Sequence, residues 1–351
     1  MNSYFKEQSV RHLGAGRFLV AFAVAVVFLT GCHHPEPPIH LLGEAQGTYY
    51  SILYRDPQGR WLQPQVDSLL AAFDQSASLW VDNSLLRRIN ANQTDTLDHL
   101  LATLLQHSLD ISRYTNGTFD VRVGRLVQSW GFSFKERSEP DSTTLMELRN
   151  AAHAAVCIDT VDGIILLRKE SPATELDFNA IAQGYSADLI GRMFDSLGIH
   201  DYLVDIGGEV VAHGTKSGQA PWRIGIEQPA KDSISTPMVQ TAVALHDAAV
   251  VTSGNYRKYY ERDGIRYSHT IDPSTGRPVR HTLLSVSVVE REAWLADAMA
   301  TAYMVMGLDS ACAFIATHPG APGTDAVYFI YDDNGVLATY ATPAFEKLIP
   351  L

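Results

Sequence analysis

The sequence predicts an α+β fold, a mixed, partly antiparallel sheet with flanking helices. Three observations carry that expectation. Strand-like runs joined by tight polar-Gly pairs read as hairpins, as in "AAVCIDTVDGIILLRK", where Asp162-Gly163 supplies the positive-φ turn. Segments with helical apolar spacing lie among these hairpins instead of following every strand. No G-x-G-x-x-G follows a strand and no Walker A loop occurs, so a doubly wound nucleotide fold has no support.

The chain starts outside this fold. Lys6, Arg11 and Arg17 precede the apolar run "FLVAFAVAVVFLT" at 18–30, which is too short to span a bilayer and suits a signal peptide ending at residue 31. "LTGC" at 29–32 then has the pattern of a bacterial lipoprotein cleavage site. Cys32 would become the lipid-modified first residue, anchoring the chain on the extracytoplasmic (periplasmic) side of a membrane. The Pro-rich segment after it, through residue 46, is expected to be an extended tether, and residues 47–351 to be the working domain.

Within that domain, "GTYYSILYR" (47–55) has strand chemistry, and 66–80 and 96–114 have helical periodicity. A helix at 179–197 closes at Gly198, and the strand "DYLVDI" runs into a Gly207-Gly208 turn. Strands follow near 222–227 and 241–246, with a hairpin around Asp263-Gly264. The strand "LLSVSVVE" leads into the apolar helix "AWLADAMATAYMVMG", where Gly307 is the stop signal. Helix 309–317 and the pair "AVYFIY" and "VLATYA" about "DDNG" complete the chain.

The formal charge is −12 over 351 residues, and loss of the first 31 makes it −14, with 24 basic and 38 acidic residues left. Such a surface argues against nucleic-acid binding, and a phosphate-bearing ligand would need relief from a cation or from helix N-termini. Cys157 and Cys312 have apolar neighbours and are expected to be buried free thiols.

Four clusters are candidates for chemistry. The first is Asp297 with Thr301 on the apolar helix, where i,i+4 spacing stacks a carboxylate and a hydroxyl on one face. They could ligate a hard cation. They could equally be satisfied locally, Asp297 by backbone or Arg donors and Thr301 by the carbonyl of residue 297. In "NGTFD", Phe119 and Asp120 follow a Gly117 turn and suit either a ring bearing donors or core packing with a cap. In "LDFNAIAQGYSAD", Asp177 and Asn179 are expected at a helix mouth with Gln183 one turn inside. In "SHTIDPSTGRP", His269 is either structural or a general base.

Together with "QGT" at 46–48, "VDIGGEV", "TSGNYRKY" and "ADAMATA", these strings resemble the ApbE family of bacterial FAD:protein FMN transferases, in family order over nearly the whole domain. The resemblance implies an ApbE-like fold and magnesium-dependent transfer of FMN from FAD to a Thr or Ser hydroxyl of another protein, with AMP leaving. It implies metal ligation by Asp297, Thr301 and the backbone carbonyl of Ala180, with Asp297 counted as catalytic too. FAD contacts fall on Gln46, Trp80, Thr118, Phe119, Asp120, Asp177, Gln183 and Ile271, with Trp80 and Phe119 offering flat surfaces to the rings. His269 is the candidate for taking the hydroxyl proton.

The implied partners are FAD and extracytoplasmic flavin-carrying subunits of membrane redox complexes. Two departures stand out: Gln46 where the family often has Met, and Gln183, uncharged, where it commonly has Lys. Two other readings use the same residues, an FAD pyrophosphatase giving FMN and AMP, and a lipoprotein that binds FAD without chemistry.

Overall fold

The computed structural model describes residues 37–132, 139–216, 219–229, 238–255, 259–262 and 265–350. The expected signal peptide and Cys32 lie outside them. Sixteen strands are described: β1 (Ile39–Ala45), β2 (Thr48–Arg55), β3 (Val156–Val161), β4 (Ile164–Lys169), β5 (Asp201–Ile206), β6 (Glu209–His213), β7 (Trp222–Glu227), β8 (Val239–Leu245), β9 (Ala248–Gly254), β10 (Tyr259–Arg262), β11 (Ile265–Ser268), β12 (Ile271–Asp272), β13 (Arg277–Pro278), β14 (Leu283–Glu290), β15 (Ala326–Asp333) and β16 (Val336–Ala341). The helices are α1 (Gln63–Ala77), α2 (Leu85–Asn90), α3 (His99–Tyr114), α4 (Gly124–Ser129), α5 (Ser142–His153), α6 (Ala182–Ser196), α7 (Ala293–Met306), α8 (Leu308–Thr317) and α9 (Pro343–Glu346). None of the described helices is long and apolar enough to cross a membrane.

The α+β class holds. Eight strands form one sheet in the order β1-β2-β5-β6-β9-β14-β15-β16, and every pairing in it is antiparallel. The central strands alternate between two apolar layers. Val286 and Val288 of β14 and Val327 and Phe329 of β15 enter the main core with the helices. Their neighbours Val289, Tyr328 and Ile330 enter a second core with Trp222, Val243 and Phe345, from β7, β8 and α9. Burial on both faces is why "LLSVSVVE" and "AVYFIY" read as nearly continuous apolar runs.

The tether expected through residue 46 is corrected: residues 39–45 are β1, an edge strand of the main sheet, paired from Ile39↔Tyr54 to Ala45↔Thr48. Its hairpin turns on Gln46 (φ 53°) and Gly47 (φ 73°), the double positive φ of a type I′ loop. Leu41 is buried while Leu42 is exposed, so β1 has one buried face. The Asp162-Gly163 hairpin forms as expected, with φ of 51° and 79°. The turn at 263–264 lies outside the described residues, although β10 and β11 pair on either side of it. The thiols also differ from expectation, since Cys157 faces out from β3 and is exposed and Cys312 is half-buried; both are free.

Candidate active site

α6 and α7 pack so closely that each satisfies the other's free N-terminal amides. Gly184 is the third residue of α6, and its N–H, which has no partner within its own helix, donates to Asp297 Oδ2 at 3.2 Å. In the reverse direction, Asp188 of α6 accepts from the first amides of α7, Ala293 N and Trp294 N, both at 2.9 Å. A Cβ on Gly184 would sit 2.5 Å from Ala293 O and 3.0 Å from Asp297 Cβ, so glycine is what allows the approach.

Both carboxylates are buried, and burial is the dominant cause pushing their pKa values up. Asp188 rises to about 7 against the pull of its two amide donors, and Asp297 rises in the same direction, with the Asp188 charge adding to its shift. Among the described residues no lysine or arginine pairs with Asp297. A helix N-terminus favours negative charge but leaves a buried carboxylate short of a full counter-charge. Thr301, one turn on, does not show the local satisfaction considered above, because its Oγ1 lies 3.2 Å from Ser253 Oγ at the end of β9.

Gln46, Asp177 and Gln183 lie around the start of α6, and the segment of Phe119 and Asp120 adjoins them. Gln46 Nε2 donates to Ser186 Oγ at 2.5 Å, and that hydroxyl donates onward to Ala182 O at 2.8 Å. Among the described residues, Gln46 Oε1 is buried with no hydrogen-bond partner. Asp177 N donates to Val121 O at 2.7 Å, which brings "TFD" beside "LDFNA". Asp177 is buried, its pKa raised chiefly by desolvation, and its Oδ1 accepts from Asn179 N at 2.9 Å. α6 begins at Ala182, three residues later than the periodicity suggests, so Asp177 closes a turn ahead of the helix and Gln183 stands in its first turn. Ala180, half-buried, lies in the turn between them.

His269 lies on a segment tied to the end of β9. Thr270 Oγ1 donates to Asn255 Oδ1 at 2.8 Å, and Asn255 follows directly on Ser253-Gly254 and the hydroxyl facing Thr301. His269 is half-buried in the bend after β11, 6.5 Å edge-on from the ring of Phe132. The "STGRP" turn beyond it is pinned by Trp130, whose Nε1 donates to Gly276 O at 2.8 Å.

Two side chains do not present what was expected. Phe119 is 1% exposed within the main core, and Ile271 is 6% exposed within a satellite core of α4, α5 and β12. Their side chains serve packing, so neither offers an open face. Trp80, on the loop after α1, is 58% exposed and does offer a flat apolar surface. Thr118, half-buried, donates its hydroxyl to Thr115 O at 3.0 Å. Asp120 caps no helix. It pairs with Arg122, whose Nη2 is 2.5 Å from Oδ2, and it also accepts from Ser112 Oγ at 3.2 Å.

This constellation can be set beside known proteins. The model of the ApbE family matches residues 46–324. The chain belongs to the ApbE family. A protein of Vibrio cholerae named FAD:protein FMN transferase is 37% identical over 299 residues, covering 83% of this chain and 87% of its own length. The Escherichia coli K12 protein of the same name is 32% identical over 349 residues, covering 94% and 97%. Among solved structures, the flavin transferase ApbE from Vibrio cholerae matches with a TM-score of 0.74 at 30% identity, over 89% of this chain and 99% of that one. The apo flavinyl transferase ApbE of Pseudomonas stutzeri gives 0.77 at 31%, over 89% and 96%.

Two residues of this site escape the sequence reading. Asp188 carries the same signal as Asp297, an acidic residue among apolar helical neighbours, and that signal could have found it. Arg122 is an ordinary polar residue in sequence, and its pairing with Asp120 becomes visible only in the folded chain.

Proposed function

We propose that the chain is a magnesium-dependent FAD:protein FMN transferase that joins the FMN half of FAD to a Thr or Ser hydroxyl of another protein and releases AMP. The observation that carries this reading is the buried Asp297 carboxylate, turned toward the N-terminus of α6 with no cationic partner among the described residues and one helical turn from the Thr301 hydroxyl. With the Ala180 carbonyl, these groups form an all-oxygen donor set of the kind hard divalent ions take. Bound there, magnesium would draw charge from the diphosphate oxygens of FAD and make the phosphorus easier to attack.

The chain's own groups supply the rest. The acceptor oxygen forms a bond to the phosphorus on the flavin side as the P–O–P bridge breaks, and AMP leaves with the bridging oxygen. His269 takes the proton of the attacking hydroxyl. The free N–H groups at the start of α6 favour negative charge near the diphosphate, a contribution that matters more because Gln183 brings no charge of its own. Trp80 supplies an apolar face for a ring, and the orphaned Gln46 Oε1 an acceptor for an amino or amide hydrogen.

The "LTGC" sequence supports lipid anchoring at Cys32 on the extracytoplasmic side, which would set the domain beside membrane redox subunits as acceptors. Incubation with FAD, magnesium and such an acceptor tests the reading. The acceptor gains the mass of one FMN group and one AMP appears per transfer. AMP and FMN released at the same rate without acceptor would favour a pyrophosphatase, and FAD binding with no AMP would mean a binding protein.

A further inference from the structure

We propose a second metal site, for zinc or a similar nitrogen-seeking divalent ion, built from Asp195, His200 and His213. It stands at the C-terminal end of α6, about 16 Å by helix rise from Gly184 and the candidate active site.

The fold brings the three residues together from separate elements. Asp195 is on the last turn of α6, and Gly198 (φ 75°) reverses the chain so that His200 returns just ahead of β5. The register of β5 and β6 sets His213 opposite Tyr202. One ligand atom from each of Asp195, His200 and His213 lies within 4.8 Å of the others. Tetrahedral zinc with bonds of about 2.1 Å holds its ligands about 3.4 Å apart, so contraction by at most about 1.4 Å brings the three into place. Asp195 and His200 have 45% and 69% of their side-chain surfaces exposed and are free to make that move.

Three details favour a metal over a chance His–Asp pair. His213 Nδ1 lies 2.7 Å from the backbone oxygen of His200, which can only accept, so Nδ1 carries the hydrogen and Nε2 keeps its lone pair outward. The Tyr202 ring stacks on His213 at 5.1 Å and 12°, while its hydroxyl donates to Asp195 Oδ1 at 3.3 Å, so one residue orients two donors. Asp247 Oδ1, fixed by Gly214 N at 2.9 Å, lies 3.7 Å from His213 Nε2 and adds negative charge beside that imidazole. Two imidazoles with carboxylate oxygen suit zinc, whereas magnesium prefers oxygen alone. The ion would clasp the end of α6 to the β5–β6 hairpin.

Calorimetric titration of the full-length chain with zinc chloride, in saturating magnesium, tests this. One zinc binds per chain, and the His200→Ala, His213→Ala double variant loses at least about tenfold in affinity. Asp297→Ala leaves zinc affinity unchanged, because its site is elsewhere. X-ray absorption of the zinc-loaded wild-type chain, which needs no variant, gives the scattering of two imidazoles. No zinc binding, equal binding by the double variant, loss of binding in Asp297→Ala, or an all-oxygen shell would each overturn the proposal.

Discussion

Replacing Gly184 by alanine isolates the contact on which the α6–α7 junction depends. In an ordinary helix the change stabilises, by up to about 1 kcal/mol. Here the new methyl would lie 2.5 Å from Ala293 O and 2.8 Å from Ala293 C. Restoring van der Waals contact needs the helices to part by about 1 Å, an overpacking penalty of about 1–3 kcal/mol. The same shift lengthens the 3.2 Å bond from Gly184 N to Asp297 beyond hydrogen-bonding range and leaves a buried carboxylate without its donor, a loss of about 1–3 kcal/mol. Less the helix-propensity gain, the net destabilisation is about 1–5 kcal/mol, or about 2–8 °C in Tm for a domain of this size. Thermal unfolding followed by circular dichroism reads that shift. Transfer assayed against magnesium concentration reads the second effect, a several-fold higher half-saturating magnesium. An unchanged or higher Tm together with an unchanged magnesium requirement would refute the account of the junction.

Further outcomes follow from the same geometry. Asp188 keeps its proton to about pH 7 in the folded chain but only to about pH 4 unfolded, so without divalent metal its contribution to stability is full at low pH and is lost as pH rises through 7. Asp188→Asn flattens that fall in denaturant midpoints measured from pH 4 to 7.5, and an identical slope would contradict the assignment. Arg122→Ala strands the buried Asp120 carboxylate and destabilises by about 3–5 kcal/mol in chemical denaturation, whereas Arg122→Met with Asp120→Asn recovers most of it. His269→Ala lowers transfer by about 10²–10⁴-fold while FAD binding persists, and intact transfer would remove its role as base.

Much of the architecture is legible in the sequence because local chemistry and burial agree. Asp162-Gly163 makes its hairpin, and the α7 stretch stops at Gly307, whose φ of 76° suits glycine. "HLLGEAQ" is less legible, since prolines precede it and it alternates weakly as a strand with one buried face. The start of α6 is obscured because Asp177 and Asn179 have capping chemistry that a turn uses instead. At the site, Asp297 is conspicuous as a charge in an apolar helix, but its donor is a backbone amide 113 residues away in sequence, and no side-chain pattern encodes that. Phe119 misleads for the opposite reason. An aromatic beside a carboxylate looks the same in sequence whether its ring faces a ligand or, as here, the core.

In the proposed reaction Asp297 and Thr301 hold the ion that serves the diphosphate of FAD. Anomalous diffraction from crystals of the chain grown with FAD and manganese, a scatterer that takes magnesium's oxygen ligands, measures it directly. One manganese peak is expected within bonding distance of Asp297, the Thr301 hydroxyl and a diphosphate oxygen. FAD bound with its diphosphate remote from α7, or manganese bound away from both residues, would contradict it.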